Sequence, residues 1–289
     1  MALRVLGIGD NVADHYLHTN IIYPGGNALN FAVYAKMLGA YSAYMGIFGD
    51  DFPGLHVMRS SKLLGIEISH CRFYHGENGC PKVRLVNGER VFISTNRGGV
   101  SRERPLTLEQ RDIEYIRTFQ LLHTSINSYI EHDLPKYAAE NIPISFDFSD
   151  KASDEYLETY SPYVTYAIVS CKHISVKETE LLISRIHRWG CANVIATRGD
   201  EGSIFSDGRE LYRCKPQLVE SLDTMGAGDA YLTAFLLCLI NWKLNHSGTS
   251  EQELRKAIEV SMEEGSRFAA KICMIEGAFG YGVVYEGYK

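Results

Sequence analysis

The sequence lacks any apolar run long enough to cross a membrane. Its longest one, Ala230–Ile240, is well short of the roughly 18 residues that a spanning helix needs. The first residues, MALRVLGIGD, have no basic segment followed by a long apolar core and a cleavage site, so they predict a β-strand and not a signal peptide. We therefore expect a cytoplasmic protein without a membrane partner.

Positive charge is also scarce. The 29 Lys and Arg residues are outnumbered by 35 Asp and Glu residues, which gives a formal net charge of −6. No stretch of the chain concentrates Lys or Arg in the way that a nucleic-acid-binding surface requires. We therefore expect no nucleic-acid partner.

The seven cysteines and ten histidines form none of the short spacings typical of metal sites, such as Cys-x-x-Cys or His-Glu-x-x-His. The cysteines are dispersed and odd in number, which favours reduced thiols over a disulfide framework. The ligands of any metal ion are therefore unknown from the sequence.

At 289 residues the chain can form one large α/β domain or two of ordinary size. Strand-like and helix-like segments alternate, beginning with a strand at 3–9, a helix after residue 25, a strand at 41–48 and a helix near 54–64. This alternation predicts a parallel sheet covered by helices. Since no linker or repeat interrupts the chain, we expect residues 1–289 to form a single domain.

The second part of the chain carries the same alternation. Thr107 with Gln110 and Ser175 with Glu178 have the spacing of capping boxes, which predicts two helix starts. Strands are predicted at 119–124, 143–147, 163–169 and 192–197, and helices near 108–117, 129–140, 153–160 and 175–189. A hairpin at 203–213 and a long helix at about 250–274 follow.

Residues 66–96 break the alternation. Two β-rich runs, 66–74 and 83–94, follow one another without a helix, and Asn87-Gly88 predicts a tight hairpin turn between Val86 and Glu89. With residues 15–23, this region predicts a small antiparallel β lid, formed by about 15–23 and 70–97. Such a lid either excludes water from a site or forms a dimer interface.

Carboxylates follow the first strand. Gly7-x-Gly9 resembles the start of a dinucleotide-binding turn, but Val12 replaces its third small residue and no helix follows. Asp10 and Asp14 lie instead near the carboxyl end of a strand, where open α/β sheets bind ligands. A solvated loop is the alternative for Asp10, whereas Asp14 lies between apolar residues.

Two glycine turns lead into helices. After Gly25-Gly26, Asn27 and Asn30 share one helix face and suit a polyhydroxylated ligand, although a capping role is the alternative. The second turn, Asp223–Asp229 (DTMGAGD), presents successive amides and a helix start to an anion. Asp229 then either complements the helix dipole or acts as a general base beside an anion-binding turn.

With both turns and Asp14 in place, the chain resembles the ribokinase-like sugar kinases of the PfkB family over nearly its whole length. Within the family it is similar to the fructoselysine 6-kinases, in stretches such as Ile8–Asn11, Ile68–His70, Arg90–Phe92 and Phe146–Lys151. The resemblance implies a three-layer α/β/α sandwich with an inserted β lid. It also implies ATP-dependent phosphorylation of the 6-hydroxyl of fructoselysine or a closely related fructosamine.

The resemblance assigns roles to individual residues. Asp229 takes the proton of the attacking hydroxyl, while the amides of Gly226, Ala227 and Gly228 stabilise the transferring phosphoryl group. The implied sugar ligands are Asp14, Gly25, Gly26, Asn27, Asn30 and Arg97. The implied ATP ligands are Thr197, Gly199, Gly202, Thr224, Gly226, Gly228, Gly277 and Ala278. Mg²⁺ is expected to arrive with ATP, and a monovalent cation is a further candidate near Asp223.

Two places depart from the family pattern. Its Asn-x-x-Glu motif, which orders magnesium-bound water, is replaced by the stretch 170–173 (SCKH), with Glu178 as a surrogate candidate. Arg97 stands where an acidic or neutral residue is expected, so it either binds a substrate carboxylate or is an exposed surface arginine. Two alternatives to the fructosamine kinase therefore stay open: a kinase for another ketose such as fructose, and a sugar-binding regulatory protein with weak catalysis. A homodimer through the lid is also expected.

Overall fold

A nine-stranded sheet forms the centre of the molecule in a computed structural model that describes residues 2–86, 89–246, 248 and 250–287. From edge to edge its strands are β13 (Leu211–Cys214), β12 (Ser203–Ser206), β11 (Asn193–Thr197), β10 (Tyr166–Ser170), β9 (Ile144–Asp147), β8 (Leu121–Ser125), β1 (Arg4–Gly9), β4 (Tyr41–Gly49) and β5 (Arg72–Tyr74). The strands from β5 across to β11 run parallel, so their carboxyl ends meet at one edge.

Helices cover both faces of this sheet, because both faces are apolar. In β1, Val5 belongs to a buried cluster with Phe31 and Phe235, whereas the next residue, Leu6, belongs to another with Ile116 and Tyr137. The helices are α1 (Asn27–Met37), α2 (Phe52–Leu63), α3 (Val100–Glu103), α4 (Gln110–Ile116), α5 (Leu134–Ala139), α6 (Asp154–Tyr160), α7 (Val176–Arg188), α8 (Ala227–Asn245) and α9 (Glu251–Ile272). The predicted three-layer α/β/α fold is confirmed.

A second, five-stranded sheet follows directly from β1. Its order is β14 (Val283–Val284), β3 (Ile21–Gly25), β2 (Val12–Tyr16), β6 (Lys82–Val86) and β7 (Glu89–Ser94). It takes in the parts of the predicted lid at 15–23 and 82–94, but residues 70–74 lie elsewhere, because Arg72–Tyr74 pairs with β4 in the large sheet. The C-terminal strand β14 was not predicted, and the turn predicted at Asn87-Gly88 lies outside the described residues.

Local sequence signals differ in how well they predict helix starts. The Ser175 hydroxyl accepts from the Glu178 amide at 3.2 Å at the start of α7, as predicted. At α4 the prediction was wrong, because Glu109 and Asp112 form the capping box there. The helix predicted at 129–140 is divided into a 3₁₀ turn and α5, since Pro135 has no amide with which to continue a preceding helix. Within the described ranges, no helix is both long and apolar enough to cross a membrane.

Candidate active site

Asp229 lies in the first turn of α8, and amide side chains hold both oxygens of its carboxylate. Asn27 Nδ2 donates to Asp229 Oδ1 at 2.7 Å, and Asn30 Nδ2 donates to Asp229 Oδ2 at 2.6 Å. Both asparagines come from the first turn of α1, where the sequence placed them on one face. The starts of α1 and α8 therefore meet at the carboxyl-end edge of the large sheet.

The glycines of the α8 turn have different surroundings. Gly226 has a φ of 74°, and a β-carbon there would come within 2.2 Å of the Tyr34 hydroxyl, so only glycine fits. A β-carbon on Gly228 would meet no atom within 4 Å. Space therefore remains beside the first amides of α8, which lack acceptors within the helix and attract anions. The Ala227 amide donates to the Thr224 carbonyl at 3.2 Å.

Asp14, Gly25 and Asn30 lie together beside Asp229. Asp14 is buried on β2, and its Oδ2 would lie 2.7 Å from a β-carbon on Gly25. Asn30 is also buried, and its Oδ1 has no hydrogen-bond partner in the described part of the chain. A buried amide oxygen without a donor is costly. A ligand hydroxyl bound here would satisfy it.

Asp147, at the end of β9, is a second carboxylate at this site that was given no role from the sequence. Asn27 Nδ2 donates to Asp147 Oδ2 at 2.8 Å as well as to Asp229, and the Ser149 amide donates to Asp147 Oδ1 at 2.7 Å. Burial raises the pKa of Asp147 to about 6, although these hydrogen bonds oppose the shift. The rule that identified Asp14, a carboxylate near a strand end, would also have found Asp147.

His123, in β8, completes the contacts of Asn27. His123 Nε2 lies 2.8 Å from Asn27 Oδ1, and Nδ1 lies 2.8 Å from Ser145 Oγ. Burial lowers the pKa of this imidazole to about 3, so it is neutral at physiological pH. Asn27, which the family resemblance assigned to sugar binding, thus makes its described contacts with protein groups. No local sequence pattern separates His123 from an ordinary core histidine.

Asp10 caps α1 and does not lie in a solvated loop. Its carboxylate accepts from the amides of Asn27 at 2.7 Å and Ala28 at 3.2 Å. It also accepts from the hydroxyls of Ser125 at 3.1 Å and Ser128 at 2.9 Å. The start of α1 is therefore occupied by an anion of the protein itself.

The sequence that contains these residues also matches a known family. The model of the pfkB family carbohydrate kinases matches residues 5–277. This chain belongs to the PfkB family. It is therefore an ATP-dependent sugar kinase.

Similarity to individual PfkB kinases extends over nearly the whole chain. The chain is 37% identical over 285 residues to fructosamine kinase FrlD of Bacillus subtilis (strain 168), covering 98% of this chain and 95% of that protein. It is 30% identical over 272 residues to the fructoselysine 6-kinase of Shigella flexneri, covering 94% and 98% respectively. The solved structure of Arabidopsis thaliana ribokinase with ribose and ATP has a TM-score of 0.75 at 16% identity, covering 96% of this chain and 94% of that one.

Thr197 is the last residue of β11, and residues 198–202 form the loop that follows it. Gly199 and Gly202 have φ values of 61° and 93°. A β-carbon on Gly199 would come within 3.2 Å of the Lys172 side chain, so Lys172 lies against this loop. Glu178, the surrogate for the missing Asn-x-x-Glu motif, is engaged in a helix cap, since its carboxylate accepts from the Ser175 amide at 2.7 Å.

Asp223 joins the DTMGAGD turn to two other parts of the kinase. Its fully buried carboxylate accepts from the Met225 amide at 2.9 Å, the Gly277 amide at 2.9 Å and the Tyr16 hydroxyl of β2 at 2.5 Å. The neighbouring Ala278 is also fully buried, and its carbonyl accepts from the Tyr34 hydroxyl at 2.6 Å. Gly277 and Ala278 therefore hold the turn in place.

Arg97 lies after β7 and is exposed. It adopts a φ of 56°, and its carbonyl accepts from the Tyr129 hydroxyl at 2.9 Å. Its backbone is thereby fixed while its side chain stays accessible to a ligand.

Neither a metal cluster nor a disulfide is seen in the described ranges. No group of three or more His, Cys, Asp or Glu side chains there is placed to hold a metal ion. All seven cysteines are free, as expected from their spacing.

Proposed function

We propose that this PfkB kinase transfers the γ-phosphoryl group of ATP to the 6-hydroxyl of fructoselysine or a closely related fructosamine. The observation that carries the substrate assignment is the 37% identity, over 98% of the chain, to fructosamine kinase FrlD. The similarity to a fructoselysine 6-kinase over 94% of the chain supports it.

Asp229 is the general base of the proposed reaction. The sugar 6-oxygen forms a bond to the γ-phosphorus, the bond to the β-phosphate oxygen breaks, ADP leaves, and the hydroxyl proton passes to Asp229. A weak base within hydrogen-bond reach is sufficient, because the alcohol loses its proton late in a loose transition state. Asn27 and Asn30 orient this base, while the amides of the turn at 226–228 stabilise the developing charge.

Asp14 and Asn30 bind hydroxyls of the sugar in this proposal. Both are buried beside the Asp229 carboxylate, and the Asn30 oxygen is in need of a donor. Arg97 binds the carboxylate of the amino acid that is attached to the sugar, a pairing for which a guanidinium is suited. Arg97 thus discriminates a fructosamine from a free ketose.

Mg²⁺ is bound chiefly through the phosphates of ATP, which requires few protein ligands. It supplies positive charge that neutralises the transferring group. Lys172 lies against Gly199 and adds a second positive charge on the nucleotide side. We also propose a monovalent cation at the Asp223 turn, because the described donors to this buried carboxylate are all neutral. Turnover is measured in K⁺ and in Na⁺, and faster turnover in K⁺ would support the cation site.

A homodimer through the small sheet is part of the proposal. β7 is an edge strand of that sheet, and Val91, Phe92 and Ile93 on it are 43%, 57% and 52% exposed. Exposed apolar edges favour pairing with a second chain. Light scattering over a dilution series measures the mass, and Phe92→Asp should yield the monomer.

Use of ATP and the free thiols support a cytoplasmic location, which cell fractionation tests.

A substrate panel tests the assignment. ADP release with Mg²⁺ is measured for fructoselysine, other fructosamines, fructose and ribose. We expect kcat/KM for fructoselysine to exceed that for fructose by at least about tenfold, because a lost charged contact is worth that much. Preference for fructose would overturn the substrate assignment but leave a kinase. Sugar binding without ADP release would indicate a regulatory protein.

Arg97→Gln sharpens the panel. It should lower kcat/KM for fructoselysine and leave that for any phosphorylated free ketose unchanged. Arg102→Gln, another exposed arginine of the same segment, is the control.

A further inference from the structure

In the described part of the chain, the Asn27 side chain makes hydrogen bonds with Asp229, Asp147 and His123. We infer that His123 is a positioning residue that fixes the amide orientation of Asn27 and, through it, the carboxylate of Asp229. This inference rests on the proposed role of Asp229 as general base. It assigns a function to a buried histidine that contacts neither nucleotide nor sugar in the proposed reaction.

The orientation of the Asn27 amide decides what Asp229 meets. An asparagine side chain has two orientations that exchange its oxygen and its NH₂ group. In the observed one, the NH₂ group donates to Asp147 at 2.8 Å and to Asp229 at 2.7 Å. The exchanged orientation would place the carbonyl oxygen against two carboxylates. Asp229 would then lose one of its two amide donors and gain a repulsive contact.

The tautomer of His123 selects between these orientations. A neutral imidazole has one donating and one accepting nitrogen. Nε2 faces Asn27 Oδ1 at 2.8 Å, so the observed orientation requires the proton on Nε2. Nδ1 then accepts from the Ser145 hydroxyl at 2.8 Å, a shorter contact than the 3.2 Å from that hydroxyl to the Leu122 carbonyl. The opposite tautomer would present a lone pair to Asn27 Oδ1.

Burial makes this arrangement stiff. His123 and Ser145 are fully buried, and the Phe31 ring lies against the imidazole with centroids 4.5 Å apart. His123 lies on β8, between β1 and β9 of the large sheet, so its backbone is fixed on both sides. A buried network whose members all have partners specifies one geometry. His123 therefore holds Asn27 in place without taking part in proton transfer to the sugar.

His123→Phe tests the inference, because it keeps a flat ring beside Phe31 and removes the N–H group. We expect kcat to fall by about tenfold to a hundredfold, as for a small misplacement of a reacting group. The KM values for sugar and ATP should stay within about twofold, since Asp14, Asn30 and the glycine turn are unchanged. A folded variant with unchanged kcat would overturn the inference.

His187→Phe is the matched control. His187 also bridges a hydroxyl and an oxygen acceptor, Ser206 Oγ and the Cys191 carbonyl, both at 2.8 Å. It should lose stability with no change in kcat. Combining His123→Phe with Asn27→Ala gives a further check, because the histidine variant should add nothing once Asn27 is gone. Additive losses in kcat would contradict the inference.

A spectroscopic measurement on the unmodified enzyme covers the case in which His123→Phe does not fold. Long-range ¹H–¹⁵N spectra should show His123 as the Nε2–H tautomer near neutral pH; a proton on Nδ1 would overturn the inference. This measurement needs no substrate. If no sugar in the panel is phosphorylated, the proposed function fails, while the tautomer still decides the role of His123 toward Asn27.

Discussion

The helix starts of α1 and α8 face each other across the site, but their surroundings differ. Both follow a glycine turn, and the first amides of both helices lack acceptors within the helix. At α1 those amides donate to the carboxylate of Asp10. At α8 the space beside Gly228 is open, and the carboxylate of the first turn, Asp229, is held toward the asparagines of α1.

The difference lies in where each carboxylate comes from. Asp10 lies just after the end of β1, and its carboxylate binds the first amides of α1. The start of α1 is therefore part of the scaffold. Asp229 belongs to α8 itself, and its carboxylate accepts from the side-chain amides of Asn27 and Asn30. In the proposed function, by contrast, the start of α8 provides a base beside an anion-binding turn. The following substitutions test whether the two helix starts differ in this way.

Asp229→Asn removes the proposed base from the start of α8 and should have the largest effect. We expect kcat to fall by about a thousandfold, the scale of general-base catalysis. Sugar affinity should change far less than turnover, because the side chain keeps its shape although its NH₂ group then meets one of the two asparagine donors. Steady-state turnover and calorimetric titration with the sugar measure the two quantities. Turnover near that of the unmodified enzyme would show that Asp229 is not the general base and only complements the helix dipole.

Asp10→Asn removes the anion from the start of α1 and should affect the fold instead. Replacing a carboxylate that accepts from two amides and two hydroxyls places an NH₂ group against donors. We expect the free energy of unfolding to fall by about 3 kcal/mol, since hydrogen bonds to charged groups are strong. Urea unfolding measures it, with Asp150→Asn at an exposed position as control. Equal stability of both variants would mean that Asp10 does not hold α1.

Asp147→Asn tests the carboxylate that shares Asn27 with Asp229. Burial raises its pKa to about 6 from an ordinary 3.8, so the folded protein binds this proton more tightly than the unfolded chain. The free energy of unfolding therefore falls as the pH rises from about 4 to about 6, by roughly 2 kcal/mol. The variant should lose this part of the pH dependence. If the free energy of unfolding of the variant depends on pH between about 4 and 6 as that of the unmodified protein does, Asp147 does not titrate in this range.

Gly228→Ala and Gly226→Ala test two glycines of the α8 turn, one beside open space and the other packed against protein atoms. At Gly228 a methyl group enters the proposed anion space, so we expect a rise of about tenfold in KM for ATP without loss of stability, since alanine favours helix. At Gly226 the φ of 74° and the Tyr34 hydroxyl make alanine destabilising. Thermal unfolding and ATP kinetics on both variants check this. A destabilised Gly228→Ala with normal KM would contradict it.

The sequence predicted those parts of the site that are local along the chain. The strand–helix alternation and the glycine turns follow from periodicity and turn chemistry, and they placed Asn30 and Asp229 correctly in the first turns of their helices. Asp14, which was predicted near the carboxyl end of the first strand, lies within β2 of the small sheet. Residues whose meaning depends on distant strands were missed. His123 contacts Asn27 from a position 96 residues away, and no local pattern indicates that contact. Asp147, 120 residues away, does have the strand-end signal that identified Asp14, but its contact with Asn27 depends on the order of the strands.

The same limit applies to the sheets. Residues 66–74 are β-rich, but β-propensity does not indicate which sheet a strand joins. Arg72–Tyr74 extends the large sheet, and the two-residue strand β14 is too short to show a pattern. Asp10 was similarly ambiguous, because a carboxylate after a strand looks alike whether it meets solvent or a helix start.

The two helix starts also differ in when their contacts can form as the chain is made. Asp10 and the Asn27 amide are 17 residues apart, whereas Asn27 and Asp229 are separated by 202 and Tyr16 and Asp223 by 207. Contacts between distant residues close late, since loop closure costs entropy first. A nascent or truncated chain can therefore begin to form the contacts of Asp10 with α1 while it still lacks Asp229 and a complete turn at Asp223–Asp229. We expect such chains to be catalytically silent until the last quarter of the protein has folded.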